Sequence, residues 1–186
     1  MKTITWRAHA NWNKDIAILR SACYSGRPQL WMDSFDSKAF HHSLELNGKL
    51  IASIRVTKAK SGLFYEWSNN TLKKTGQDSV VEISRAVVLP QYRGKAIGGL
   101  LFYSACLHAK TLGHNTALFG VRVKSPEVRL VKKFGARNKL PKIQFFDTPK
   151  QTLGDVFSLD LTSDNDMFER CAFQTLKLVK RSFDVR

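Results

Sequence analysis

A glycine-rich turn between an apolar segment and an amphipathic helix constrains the fold of this chain more than any other feature. Residues 80–88 read VVEISRAVV, which predicts a largely buried strand, and the turn RGKAIGG follows at residues 93–99. A helical pattern then runs to Leu112, where Gly113 is typical of a helix end. Such a turn directs backbone N–H groups and the positive end of a helix dipole to one point, which suits a phosphate group. The alternative is a tight strand-to-helix turn that binds nothing.

Short strand and helix patterns surround this unit, without an internal repeat or an obvious linker. Asn47-Gly48 joins two alternating segments and is typical of a β-hairpin turn. Asn13 can cap a helix that runs to about residue 24, and Ser125-Pro126 is typical of a helix start. The prediction is therefore one mixed α/β (α+β) domain over residues 1–186. Further strands are predicted at residues 3–8, 116–123, 143–146 and 156–161, so the core of the domain extends over about residues 3–161. A C-terminal amphipathic helix is predicted over about residues 163–182. It starts at Ser163 and has Asp164 and Asp166 in its first turn.

The composition is that of a folded protein without a membrane span. With 43% hydrophobic residues, the 186-residue chain can bury a core. No segment approaches the roughly 18 consecutive apolar residues of a span, and no signal-peptide pattern opens the chain, so a cytoplasmic location is expected. Cys23, Cys106 and Cys171 lack the spacing of a disulfide framework or a zinc site. His41 and His42 are adjacent and face opposite ways on a strand, so no metal site is expected.

The charge of the chain predicts an anionic partner. The formal net charge is +15, and residues 86–146 contain eleven basic residues and one acidic residue, Glu127. A nucleic acid, a phosphorylated cofactor, an acidic protein or a membrane surface would each suit this surplus. The sequence has no zinc knuckle, no paired aromatic RNA-binding motif and no recognition-helix signature. A nucleic-acid-binding module is therefore the less favoured interpretation, kept as an alternative of a different functional class.

The glycine-rich turn resembles a known cofactor-binding motif. The pattern Gln91-x-x-Gly94-x-Ala96, after a strand and before a helix, resembles the pyrophosphate-binding motif of the GNAT superfamily of acyl-CoA-dependent N-acyltransferases. The segment LVKKFGA at residues 130–136 is similar to a later helix of that superfamily. A nicotinamide or flavin site would need an acidic residue about 20 positions further on, and none occurs between Glu82 and Glu127. The resemblance implies a mixed central sheet flanked by helices.

The same resemblance implies an activity and a set of cofactor contacts. The expected reaction moves an acyl group from acyl-CoA, most simply acetyl-CoA, to a primary amine of a small molecule or peptide. By resemblance, the backbone near the end of the 80–88 strand would hold pantetheine like an added strand. The residues implied for CoA binding are Val87, Val88, Arg93, Gly94, Lys95, Ala96, Ile97, Gly98, Gly99, Ser125 and Lys133.

A second resemblance concerns one branch of these enzymes. The chain contains, in order, Leu19-Arg20, Trp31, Asp33-x-x-Asp36, Arg55 and Glu82-x-x-Arg85. This series resembles that of the acyl-homoserine-lactone synthases and N-acyl amino acid synthases, which often take acyl groups from acyl carrier protein. The branch therefore implies acyl carrier protein as an alternative donor. The short segment between Arg20 and Asp33 and the well-formed RGKAIGG turn depart from it, and the turn is more typical of CoA users.

Candidate catalytic groups follow from the residue types. Alternation along the 80–88 strand places Glu82, Ser84, Ala86 and Val88 on one face. Glu82 could act as a general base with a pKa raised by burial, or form a structural ion pair with Arg55.

Two further sets of residues are candidates for binding the acceptor and for stabilising the leaving group. Asp33 and Asp36 could hold the ammonium group of an acceptor, or cap a turn. Many GNAT enzymes have a tyrosine general acid where this chain has Val131, which leaves Tyr103, Cys106 or water for the leaving thiolate, or a GNAT fold without activity.

Overall fold

The computed structural model describes residues 2–10, 12–24, 26–58, 79–145, 152–162 and 165–185, which form a sheet flanked by helices. Asn13 caps the first helix, where its Oδ1 accepts a hydrogen bond from Asp15 N at 2.8 Å. The strands are β1 (Thr3–His9), β2 (Phe40–Leu46), β3 (Lys49–Lys58), β4 (Val80–Val88), β5 (Thr116–Arg122), β6 (Arg137–Phe145), β7 (Thr152–Asp160) and β8 (Asp184–Val185). The helices are α1 (Lys14–Cys23), α2 (Ile97–Thr111), α3 (Pro126–Lys133) and α4 (Asp166–Lys180).

The strands form one mixed sheet in the order β6-β7-β5-β4-β3-β2-β1-β8. β4 pairs with β5 in parallel, and β1 pairs with β8 in parallel, whereas the other pairs are antiparallel. The parallel connection from β4 to β5 passes through the glycine-rich turn and α2. The hairpin between β2 and β3 turns at Asn47 and Gly48, which both have positive φ, at 50° and 79°. The predicted mixed α/β fold is confirmed.

The two faces of the sheet differ in chemistry. On one face, α2 packs against β3, β4 and α4, and the apolar core includes Ile54, Val56, Val81 and Ile83. The opposite face carries α1 and buries polar side chains of β3, among them Arg55. Burying polar groups is costly unless they are paired. The second face is therefore where a site would be expected.

Several predicted boundaries differ from those of the structure. The strand predicted at residues 143–146 begins earlier, at Arg137, and the next strand begins at Thr152. These two strands pair with register shifts, so alternation does not mark their ends. The last helix begins at Asp166, and the predicted start at Ser163 and Asp164, like residue 146, lies outside the described residues. None of the helices in the described segments is long and apolar enough to cross a membrane.

Candidate active site

β4 and β5 separate partway along their length. Their parallel pairing runs from Val80, opposite Thr116, to Ile83, opposite Phe119. β4 continues to Val88 alongside β3, and β5 continues to Arg122 alongside β7. A cleft therefore opens between the second halves of two adjacent strands at the centre of the sheet.

A β-bulge at Arg85 lies where the strands separate. Arg85 has φ of 54°, in the left-handed region, and the register of β3 against β4 shifts between Ser53 and Arg55. Ser84 accepts a hydrogen bond from Arg55, and Arg85 binds Asp33, which also binds Arg55. Two successive side chains thus lie on the α1 face of the sheet.

This bulge overturns the predicted alternation of β4 beyond Ser84. Arg85 joins Glu82 and Ser84 on the α1 face, although alternation placed it with Val81 and Ile83. Val88 packs against the core on the α2 face instead of sharing a face with Glu82. The physical reason is that the extra residue of a bulge shifts the pleat by one position.

The edge of β4 that faces the cleft presents backbone groups. Val87 pairs with Ser53, and Leu89 N donates to Ile51 O at 2.9 Å, so these residues direct their amides toward β3. Alternation then directs the amides of Ala86 and Val88 toward the cleft. Of the two predicted pantetheine contacts, Val88 is the one whose backbone faces the cleft.

The glycine-rich turn closes one end of this edge. Residues 93–96 form the turn, with φ of 75° at Gly94 and 59° at Ala96, and α2 begins at Ile97. The first-turn N–H groups of a helix have no acceptor within the helix and are directed outward. Arg93 and Lys95 are exposed beside them, and Arg93 Nε donates to Val88 O at 3.0 Å. A turn with positively charged side chains and free backbone N–H groups therefore lies next to the cleft.

Ile97, Gly98 and Gly99 of α2, which were predicted to bind the cofactor, differ in which of their groups a ligand could contact. The Ile97 side chain is buried in the core, and a Cβ on Gly99 would lie 3.0 Å from Thr175 Cγ2 of α4. These two residues can offer backbone N–H groups alone. A Cβ on Gly98 would lie 3.9 Å from Val88 Cγ2, so Gly98 lies directly over the end of β4.

Ser125 and Lys133 lie at opposite ends of α3. Ser125 is the N-cap residue, and its hydroxyl makes no capping hydrogen bond. Lys133 is exposed near Cys171 of α4. The eight-residue helix is about 12 Å long, so the structure does not bring these two predicted cofactor residues together.

A buried charged cluster lies on the α1 face, next to the bulge. Arg20 Nη1 and Arg55 Nη1 lie 2.9 and 3.2 Å from Asp36 Oδ1. Arg55 also pairs with Asp33, and Arg85 Nη2 lies 2.8 Å from Asp33 Oδ2. Arg55 Nη2 is 3.9 Å from Glu82 Oε1. The members of the charged cluster are Arg20, Asp33, Asp36, Arg55, Glu82 and Arg85.

The three carboxylates of the charged cluster balance its three guanidinium groups. Burial alone would raise the pKa of Asp33, but the guanidinium groups of Arg55 and Arg85 hold it below its ordinary value. The Asp33 side chain is 17% exposed, whereas that of Asp36 is 2% exposed. Of the two predicted ammonium ligands, Asp33 therefore lies at the rim of the cluster, and Asp36 lies inside it.

Comparison with known proteins identifies the fold. Residues 20–102 match the family model of the GNAT acetyltransferase domain. A Bacillus subtilis acetyltransferase in complex with CoA superposes with a TM-score of 0.63 at 17% identity, covering 86% of this chain and 99% of that one. A GNAT acetyltransferase from Elizabethkingia anophelis with acetyl-CoA bound gives 0.65 at 16% identity, covering 84% and 97%.

The fold is that of a GNAT acetyltransferase. A CoA-dependent acyl-homoserine lactone synthase, BjaI, with SAM and isopentyl-CoA, is also similar, with a TM-score of 0.68 at 11% identity over 100% of this chain and 93% of that one. No curated protein sequence matches the chain at a significant level. The resemblance to the GNAT superfamily that the sequence indicated is confirmed.

Within the GNAT fold, Glu82 lies at the inner end of the cleft. It is opposite Leu118, one residue before the last β4–β5 pair, and its side chain is 1% exposed. The 3.9 Å separation from Arg55 Nη2 exceeds hydrogen-bond length. Glu82 is thus the member of the charged cluster that lies on β4 at the inner end of the cleft, a position compatible with both the base and the ion-pair interpretations.

Tyr103 and Cys106, the predicted substitutes for a GNAT general acid, pack against or within the core. Cys106 is buried there, as is Val131, and the Tyr103 ring centroid lies 5.5 Å from that of Phe168 in α4. Sequence reasoning missed Tyr24, whose hydroxyl donates to Ala86 O at 3.1 Å. The signal available was its spacing of four residues from Arg20, which predicts that both side chains lie on one side of a helix; in the structure Tyr24 directly follows the last residue of α1, Cys23.

Proposed function

We propose that this protein is an N-acyltransferase that moves an acyl group from acyl-CoA, most simply acetyl-CoA, to a primary amine. The observation that carries the proposal is the cleft between β4 and β5, which ends at the turn of residues 93–96 and the start of α2. An extended pantetheine chain would pair with the backbone of Ala86 and Val88. The pyrophosphate would bind the first-turn N–H groups of α2, with Arg93 and Lys95 supplying charge.

The fit of this chain to CoA rests on features of its own residues. Gly98 leaves open space above Val88, where a bulkier side chain would cover the turn. Gly94 and Ala96 both have positive φ, which turns successive N–H groups outward. Bound acyl-CoA would supply the activated thioester. The buried Ile97 side chain, and the close approach of α4 to Gly99 that the missing side chain allows, keep α2 packed against the core so that its N-terminus stays aligned with β4.

The acceptor amine is assigned to the α1 face, at the rim of the charged cluster. Asp33 would bind the ammonium group before deprotonation, and its partial exposure makes it the accessible carboxylate. Glu82 would take the proton that the amine loses as it attacks the thioester, directly or through a water molecule. The acceptor is a small molecule or a peptide with a primary amine. All three cysteines are free, in keeping with the cytoplasmic location that we propose.

A second donor, acyl carrier protein, is favoured by one observation. Arg129, Lys132 and Lys133 are all exposed on α3. α3 packs against β5, one of the two strands that border the cleft. An acidic carrier protein that delivered its phosphopantetheine arm into the cleft would meet these cations.

The test of the proposed function is ligand-dependent thermal stability. CoA at about 100 times its Kd should stabilise the wild type by about 2.7 kcal/mol, which corresponds to about 5–10 °C for a chain of this size. Gly98→Asp should remove this stabilisation, because it adds a carboxylate where the pyrophosphate binds. Gly98→Ala is the matched control, since its Cβ meets nothing closer than 3.9 Å. An equal shift with CoA in the Gly98→Asp variant would contradict the cofactor assignment.

A further inference from the structure

Tyr24 connects the end of α1 to the cleft-facing edge of β4. Its N–H donates to Arg20 O at 2.7 Å, and its carbonyl accepts from Arg27 N at 3.0 Å and from Trp31 Nε1 at 3.4 Å. The backbone of Tyr24 is therefore fixed on both sides. Its hydroxyl donates to Ala86 O at 3.1 Å, which fixes the direction of the ring.

The partner of Tyr24 lies where the thioester is proposed to bind. Ala86 follows the bulge at Arg85 and directs its amide into the cleft. A ligand that pairs with this edge of β4 would lie within reach of the Tyr24 hydroxyl, which reorients by rotation about one C–O bond. The rings of Tyr92 and Tyr103 pack against the core on the other face of the sheet. Among the described tyrosines, Tyr24 is thus the one on the acceptor side of the cleft.

The surroundings keep the Tyr24 hydroxyl protonated. Burial raises the pKa of Tyr24, and the positive charges of Arg85 and Arg20 oppose this effect without reversing it. The group therefore remains a hydrogen-bond donor throughout the neutral range. It is suited to stabilise a negative charge without giving up its proton.

We propose that Tyr24 is the hydrogen-bond donor that stabilises the sulfur of the departing CoA. This inference rests on the proposed function. The amine nitrogen bonds to the thioester carbonyl carbon, the C–S bond breaks, and its electron pair stays on the sulfur. The amine proton passes to Glu82 and then to water. The thiolate accepts the hydrogen bond of Tyr24, is released, and takes its proton from water.

Binary complexes test this inference without an acceptor. Wild type and Tyr24→Phe are titrated with reduced CoA and with desulfo-CoA, which has hydrogen in place of the thiol, at about pH 7 and about pH 9.5, on either side of an ordinary thiol pKa. At about pH 9.5 the wild type should bind CoA about tenfold more tightly than Tyr24→Phe, because hydrogen bonds to charged groups are strong. The ratio should approach one for desulfo-CoA. Tyr103→Phe is the matched control, and it should match the wild type with both ligands.

A second measurement uses the wild type alone and does not depend on the folding of a variant. The ultraviolet absorbance of the thiolate should show bound CoA ionising about one pH unit below free CoA, which corresponds to the same tenfold preference for the charged form.

Three results would overturn the assignment of Tyr24. The first is equal affinity of wild type and Tyr24→Phe for CoA at about pH 9.5. The second is an equal loss of CoA and desulfo-CoA affinity in the variant, which would show that the hydroxyl holds the strand edge and not the sulfur. The third is a bound thiol that ionises no more readily than free CoA. If the wild type binds neither ligand, the proposed function itself is wrong, and this inference fails with it.

Discussion

We expect His42 to make the folding free energy of this protein depend on pH in the mildly acidic range. Its side chain is fully buried in β2, stacked on Trp6 with ring centroids 5.6 Å apart, and its Nε2 lies 3.0 Å from His108 Nδ1. Its Nδ1 has no hydrogen-bond partner among the described residues. A second ring proton would therefore add a charge and a donor without an acceptor. Burial, with smaller contributions from neighbouring histidines, lowers the pKa of His42 to about 3.

The magnitude of the effect follows from proton linkage. An unfolded chain has a histidine pKa of about 6.5, so acid protonates His42 in the unfolded state first. The stability that neutral His42 allows is complete above about pH 6.5 and is lost as the pH falls toward 3. Between pH 7 and pH 5 the predicted loss is about 2 kcal/mol, against a typical total of about 5–15 kcal/mol.

The assay is urea unfolding, followed by tryptophan fluorescence, at about pH 7 and about pH 5. His42→Phe keeps a ring against Trp6 and removes the titrating group, so its free energy of unfolding should fall by about 2 kcal/mol less than that of the wild type over this interval. The variant also loses the contact with His108, which should lower its free energy of unfolding by the same amount at both pH values. This constant difference from the wild type does not affect the comparison of the two pH dependences. Parallel pH dependences in the two proteins would refute the reasoning.

Three further predictions concern the site. Glu82→Gln should lower kcat by about 10²–10⁴-fold and leave the affinity for CoA unchanged. The rate is measured by thiol release with any active amine, and a turnover near that of the wild type would exclude a role of Glu82 as the base. Asp36→Asn should lower the free energy of unfolding by about 3–5 kcal/mol, because it leaves the buried guanidinium groups of Arg20 and Arg55 without their shared carboxylate; a loss below 1 kcal/mol in urea unfolding would contradict this. The double variant Lys132→Glu/Lys133→Glu should slow transfer from acyl carrier protein more than from acyl-CoA at low salt, and equal effects on both donors in parallel rate assays would assign the lysines to CoA itself.

The sequence predicted best those features that depend on local backbone geometry. Asn47 and Gly48 form their turn because both can adopt positive φ, and the turn around Gly94 introduces α2 for the same reason. The polar positions Asp33, Arg55 and Glu82 were also marked as candidates by residue type and order. Their direct contact in one cluster was beyond the sequence, since Arg85 and Asp33 are 52 positions apart and meet through sheet topology.

The sequence could not predict the bulge and its consequences. Arginine rarely adopts positive φ, and the apolar alternation of VVEISRAVV predicts a regular strand. The role of Tyr24 could not be predicted for a related reason. Its hydrogen-bond partner is the backbone carbonyl of Ala86, and every residue type has such a carbonyl, so the sequence pattern does not indicate the contact. Both features depend on which strands are adjacent, which local propensity does not determine.

The bulge at Arg85 couples the two halves of the site, and this coupling can be tested at Asp33. The left-handed backbone of Arg85 costs about 1–2 kcal/mol, and its hydrogen bonds to Asp33, at 2.8 and 3.2 Å, help to offset that cost. The same bulge shifts the pleat of β4 and lies where β4 separates from β5. Because Asp33 stabilises the bulge, it also stabilises the shape of the cleft, although Asp33 itself lies on the acceptor side. Asp33→Asn should therefore weaken CoA binding as well as acceptor binding, measured by calorimetry and by KM. If the CoA affinity of this variant equals that of the wild type, the bulge keeps its conformation without Asp33, and CoA binding in the cleft does not depend on the charged cluster.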